Sequence, residues 1–241
     1  MRIQIIQSII DKIRRKKYTK IVKNKTQNII VYDDFGNEYS INYHPKIIIN
    51  SKSPKNSNNI IKIHKDINLE GIVFINFEND TVKNTTIIMD SITLRKSMSI
   101  NINSANCKLY IGKNTHIGSI EFYLREENAS IDIDSESMFS FNIEIWAGDG
   151  HTIYDLDSKE ALNTFTSPIK IGKHCWVCKE VIMTKNASIP DNSVIGIRAL
   201  VTKNFIEQNT VISGIPAKIV KRNINWSPLQ CYQYQKIKNN V

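Results

Sequence analysis

The 241-residue chain is 41% hydrophobic with a formal net charge of +9. That is enough apolar content for a core, yet no apolar run approaches the roughly 20 residues that cross a bilayer. Four cysteines, scattered at 107, 175, 178 and 231, exclude a dense disulfide scaffold and argue for a reducing compartment. The charge is segregated: residues 1–25 carry +8, residues 201–241 carry +5 and the middle carries −4. The two ends therefore face anions, and the body does not.

Residues 3–17 place Ile3, Ile6, Ile10 and Ile13 on one helical face and end in Arg14, Arg15, Lys16 and Lys17, which suits a helix C-terminus. The polar residues within this opening are unlike a secretory leader. Two readings stand for it: a helix packed on its own protein or a partner subunit, and a helix docking on an anionic membrane or a neighbouring enzyme. The runs NIIVYD and SINYHPKIIIN read as strands around a DDFGNE turn, and SKSPKNSNN (51–59) as a loop. From about residue 60 an aliphatic recurs every six residues. It is weak at first, readable at Ile88, Leu94 and Ile100, slips by one, and resumes at Ile111 and Ile117. After an irregular EFYLREEN it returns at Ile133, Phe139 and Ile145.

Residues 151–168, HTIYDLDSKEALNTFTSP, leave this frame and carry Asp155, Asp157 and Glu160. A long excursion from a regular scaffold is where sites usually sit. The frame is clearest beyond this loop, with Ile171, Val177, Met183, Ile189, Ile195 and Val201 at one position. Cys175, Val181, Ala187, Ser193 and Ala199 stand two places before the last five. A period of six fits neither helix nor flat strand. It fits a triangular coil with one short strand per six residues, stacked about 4.8 Å apart. The expected fold is an all-β solenoid, a left-handed parallel β-helix over residues 60–226, with a basic helix and β-rich extension over 1–59 and a tail over 227–241. Asn and Asp are expected at its corners, where glycine is scarce.

Among the histidines, His151 sits at the loop mouth, where a neutral imidazole suits general-base work. His44 falls outside the coil, and His64, His116 and His174 fall at turn positions. Asp149, Asp155 and Glu144 are within sequence reach of His151 as orienting carboxylates, and the sequence does not choose among them. Cys175 and Cys178 have CxxC spacing, but the frame already accounts for both, and no second pair completes a zinc site. The basic ends lack the interleaved aromatics of a nucleic-acid groove.

Three features carry a resemblance: the sixfold frame, WAGDGHTIYD (146–155) followed by IKIGKHCWVC (169–178), and the closing SGIPAKIVKRNINW (213–226). Over roughly residues 85–226 the chain resembles the hexapeptide-repeat acyltransferases, and within them the bacterial O-acetyltransferases of surface polysaccharides. The resemblance implies acetyl-coenzyme A as donor, a glycan hydroxyl as acceptor, no metal, a homotrimer, and His151 as catalyst; which of Asp149, Asp155 and Glu144 stands beside it stays open. It implies Trp176 on the thiol-arm channel, and Gly196, Arg198, Lys203, Lys218, Lys221 and Arg222 along the donor groove. Ile197-Arg198-Ala199 departs from the family's Ala-Gly-Ser. An N-acetyltransferase of a nucleotide-linked amino sugar is the alternative. The expected location is cytoplasmic, with residues 1–25 able to attach to the inner membrane or a glycan-synthesis complex.

Overall fold

The computed structural model describes residues 28–53, 55–164 and 168–238; the expected basic helix at the N-terminus lies outside them. The chain winds as a left-handed parallel β-helix with three walls. The first wall stacks Ile29–Tyr32, Ile60–His64, Thr86–Met89, Lys108–Ile111, Ser130–Ile133, Ile169–Ile171 and Ser188–Ile189. The second stacks Asn68–Leu69, the first residues of Thr93–Ile102 and His116–Leu124, then Met138–Phe139, Trp176–Val177, Val194–Ile195 and Val211–Ser213. The third stacks Ile47–Ser51, Ile72–Phe77, the remainder of those two long strands, Ile143–Ala147, Ile182–Met183 and Leu200–Val201. The ladder thus begins at Ile29, upstream of where the hexads become visible.

The core follows from the frame. Ile171, Val177, Met183, Ile189, Ile195 and Val201 are each at most 2% exposed, and the small residues two places before them are equally buried. Burying an aliphatic side chain of this kind stabilises the fold by about 1.5–3 kcal/mol. The slips have a definite location. Between the inward residues of the first and second walls the spacing is six at Ile63–Leu69, Ile111–Ile117, Ile133–Phe139 and Ile171–Val177. Between the second and third walls it is six at Leu94–Ile100 and Phe139–Ile145. At the third corner it is 14 from Ile75 to Met89, 11 from Ile100 to Ile111, 11 from Phe122 to Ile133 and 26 from Ile145 to Ile171. From Met183 to Ile189 it returns to six. Between Ile63 and Ile212, every insertion of more than one residue among the described coils leaves at that one corner.

Two expectations are corrected here. Ile88 is half-buried and Met89 takes the inward slot, because the lower strands are long enough to alternate with period two. EFYLREEN is not irregular as a whole: Phe122 and Leu124 are core residues of His116–Leu124, and only the residues after Leu124 form a corner.

Among the described residues fifteen non-glycine residues have positive φ, and ten of them are asparagine. Asparagine tolerates the left-handed conformation through local hydrogen bonds, so it does at the corners what glycine would. No aspartate shares this role among the described residues. Asn58, Asn84 and Asn106 stack at the third corner, each Nδ2 donating to the next side chain, at 3.4 Å to Asn84 Oδ1, 3.1 Å to Asn106 Oδ1 and 2.9 Å to Glu127 Oε1. His64 is not at an ordinary turn. It is 2% exposed, edge-on to Tyr32 at 5.2 Å, and its Nδ1 accepts from the Asp66 amide at 3.2 Å.

At the top, Val211–Ser213 turns back antiparallel to Lys218–Lys221, and the chain then runs down to a helix at Cys231–Lys238. Trp226 pins this descent. Its ring stacks on His174 at 4.4 Å, its Nε1 donates to the His174 carbonyl at 2.7 Å, and its own carbonyl lies 3.2 Å from His174 Nε2.

Candidate active site

The loop that breaks the frame leaves at the third corner, immediately after Ile143–Ala147. It is a hairpin, closed by an antiparallel bridge between Tyr154 and Ala161 and by the Leu162 amide donating to the Ile153 carbonyl at 2.7 Å. Asp155 makes its turn, accepting at Oδ1 from the amides of Asp157 at 2.9 Å and Ser158 at 2.8 Å. These bonds hold its carboxyl below the usual carboxylate range. Asp155 is therefore a turn acid, and the structure does not bring it to the His151 ring.

His151 stands exposed at the foot of the hairpin. Its imidazole makes no hydrogen bond among the described residues, but its backbone is fixed. Asn163 Nδ2 donates to the His151 carbonyl at 2.8 Å and to Asp149 Oδ2 at 2.7 Å, while Asn163 Oδ1 accepts from the Ile153 amide at 2.8 Å. Lys185, from the next coil, pairs with Asp149 and donates to the Asn163 carbonyl at 2.6 Å. Partial burial raises the Asp149 carboxyl, but the hydrogen bonds from Lys185 and Asn163 and the Lys185 charge more than offset it, for a net lowering. Asp149 is linked to His151 through Asn163 and the backbone, and no hydrogen bond joins it to the ring among the described residues. Glu144 is also turned elsewhere, accepting from Trp146 Nε1 at 2.9 Å.

A cavity of about 310 Å³ opens beside His151, lined also by Arg125, Glu126, Gly150, Thr152, Ala161, Asn163 and Thr164. Arg125, Glu126, Asn163 and Lys185 escaped sequence reasoning. They have no motif; Arg125, Glu126 and Lys185 arrive because one coil stacks on another, and Asn163 because the hairpin closes.

Trp176 lies on the second wall, half-buried, with its ring centroid 6.1 Å from that of Trp226. It borders a cleft of about 910 Å³ shared with Trp226, Leu229, Cys231 and Tyr234. This cleft and the His151 cavity have no lining residue in common. Cys175 points inward and donates to the Pro190 carbonyl at 3.2 Å, and burial pushes its thiol up to about 12. Gly196 has a packing role, because a Cβ there would run into Ser213 of the next turn. Arg198 sits in the left-handed region at a corner, paired with Glu180, and Arg222 pairs with Glu207 at 2.9 Å. Lys203 lies over Phe205 at 5.2 Å. Lys218 and Lys221 stand exposed on the last strand, with no ion pair among the described residues.

A left-handed coil of hexads, a loop histidine and a closing Pro-Ala-Lys strand define a hexapeptide-repeat acetyltransferase, and the chain belongs to that family. The polysialic acid O-acetyltransferase of Neisseria meningitidis is 33% identical over 180 residues, covering 75% of this chain and 77% of that one. A protein of the same name from Escherichia coli O1:K1 is 31% identical over 120 residues, which are 50% of this chain but only 38% of the relative's length. Among solved structures, the polysialic acid O-acetyltransferase OatWY superposes with a TM-score of 0.54 at 25% identity, covering 88% of this chain and 99% of that one. No protein-family model matches the chain.

Proposed function

We propose that the protein moves an acetyl group from acetyl-coenzyme A to a sugar hydroxyl of a bacterial surface polysaccharide, with His151 as general base. The observation that carries this reading is an imidazole with no hydrogen bond among the described residues, fixed by its own backbone at the mouth of a cavity. It stands in a chain 33% identical to a polysialic acid O-acetyltransferase. The ring takes the hydroxyl proton as the oxygen attacks the thioester carbonyl. The C–O bond forms, the C–S bond breaks, and the proton passes from His151 to the departing thiolate. Asn163, Asp149 and Lys185 position the base. Incubation of the full chain with acetyl-coenzyme A and a glycan should release thiol and leave the glycan with an acetyl group that mild alkali removes. An alkali-stable amide would instead identify an N-acetyltransferase.

The donor belongs in the cleft beside Trp176, with its phosphates toward the basic last strand. Arg198 and Arg222 are already held by carboxylates, so of these candidates Lys203, Lys218 and Lys221, with no ion pair among the described residues, are placed to meet a phosphate, and Arg222 must leave Glu207 to join them. Lys218→Ala with Lys221→Ala should raise the KM for acetyl-coenzyme A about tenfold and change saturated turnover little, since the charges grip an unreacting group. If the double variant still discriminates against the dephospho-coenzyme A thioester as wild type does, these lysines do not hold the 3′-phosphate. Because cavity and cleft are separate within one chain, we read the complete site as formed between copies in a homotrimer, Trp176 and the basic strand of one facing His151 of the next.

The division into a coil and a basic N-terminal attachment belongs to the same reading. No helix among the described residues is long and apolar enough to cross a membrane. The +8 of residues 1–25 would place a cytoplasmic enzyme against an anionic inner-membrane surface or an acidic polymer. Deleting residues 1–20 should leave activity on a monomeric acceptor unchanged, while activity on a long acidic polymer falls in a salt-dependent way. A truncation that melts earlier and loses both activities equally would show that the segment serves packing.

A further inference from the structure

We infer that the sugar unit accepted at the His151 cavity is uncharged, so that the charge of an acidic polymer is met elsewhere on the chain. This rests on His151 being the base for a sugar hydroxyl. Arg125 is the cation among the residues lining the cavity, and it is already committed. Its Nη1 donates to Glu78 Oε2 at 2.6 Å, with both side chains less than a quarter exposed. Its guanidinium also lies 5.2 Å from the Tyr123 ring and 5.9 Å from the Trp146 ring, two rings that stack 3.8 Å apart. Lys185, the nearby ammonium, is held by Asp149 and the Asn163 carbonyl.

Glu126 adds a negative charge to the lining. Its Oε1 accepts from the Asp149 amide at 2.9 Å, and no cation pairs with it among the described residues. A sialate or uronate carboxylate entering here would lose its water and meet Glu126 as a like charge, or would have to part Arg125 from Glu78. Hydroxyls face no such cost. Thr152 and Thr164 line the same cavity with side-chain hydroxyls that make no hydrogen bond among the described residues, and such groups exchange donors and acceptors with a neutral sugar.

Paired acceptors of one ring test this with the full chain: the methyl glycoside of N-acetylneuraminic acid against its methyl ester, and methyl galacturonide against methyl galactoside. The uncharged member of each pair should show a kcat/KM at least tenfold higher. Glu78→Gln releases Arg125 and should shrink that preference at least threefold through a lower KM for the acid, with the KM for acetyl-coenzyme A unchanged. A merely structural role for Glu78 would lower both members alike. Equal rates, or a preference for the acid, would overturn the inference and leave acetyl transfer standing. Calorimetric binding of acetyl-coenzyme A without acetylation of any uncharged member would also overturn it. A protein that neither binds acetyl-coenzyme A nor acetylates any member removes the underlying reading and the inference with it.

Discussion

His151→Ala should lower turnover about 10²-fold or more, the usual contribution of a positioned general base, with acetyl-coenzyme A affinity and thermal stability unchanged. The selectivity of this loss follows from where the residue sits. The side chain is exposed and makes no hydrogen bond among the described residues, so removing it leaves no cavity and no orphaned partner. The bonds that hold the segment run to the His151 carbonyl, which alanine retains. A hydroxyl of high pKa is a poor nucleophile unless its proton is taken during attack, and no other described group lining the cavity combines a titratable ring with a free nitrogen. Retention of more than about a third of wild-type turnover would remove His151 from the mechanism.

Asn163→Ala should reduce kcat about tenfold while shifting the melting temperature little. One amide ties three segments, with Nδ2 shared by Asp149 and the His151 carbonyl and Oδ1 on the Ile153 amide. Each such bond contributes about 0.5–1.5 kcal/mol net, and together they fix the hairpin relative to the rigid third wall. The core lies elsewhere, so the coil stays folded while the base loses its aim, a loss that a displacement of about 1 Å suffices to cause. A drop confined to KM would contradict a positioning role. The same site carries a pH signature. The Asp149 carboxyl lies net below its ordinary value, burial raising it and the bonds from Lys185 and Asn163 lowering it further. Its contribution is therefore present above the ordinary carboxylate range and lost as pH falls through the lowered value. Deleting Asn163 removes one of the lowering bonds, so the acid-side loss of activity should move to higher pH.

The coil was legible in the sequence because its signal is local and periodic. Ile171 through Val201 needed only a six-residue ruler, and every one of them is buried. Lower in the coil the ruler failed at Ile88, because strands of four to ten residues alternate by two and the corner insertions reset the count. The site was legible only in part. His151 announced itself through a motif and its place at the loop. Asp149 and Asp155 looked equivalent by distance along the chain, yet one reaches Lys185 across a coil while the other closes a turn with Asp157 and Ser158. The run DLDS carried the turn signature that separates them. Lys185, Glu126 and Arg125 carried no local signature at all, since register between coils brings the last two to the cavity and Lys185 to Asp149.

The single corner that absorbs every long insertion limits how such a chain can diversify. Register must hold along each wall, so a coil cannot freely lengthen its perimeter at the other two corners; where Ile117 and Phe122 stand five residues apart against six for Leu94 and Ile100, the ladder already shifts register. At the third corner, 5, 8 or 20 residues beyond the hexad leave the ladders above and below in step. A lineage can therefore gain, lose or exchange loops there without rethreading the core, and each new loop emerges along the same edge. Variation in length is channelled to the edge that bears His151, while the ladders that support that edge stay in step.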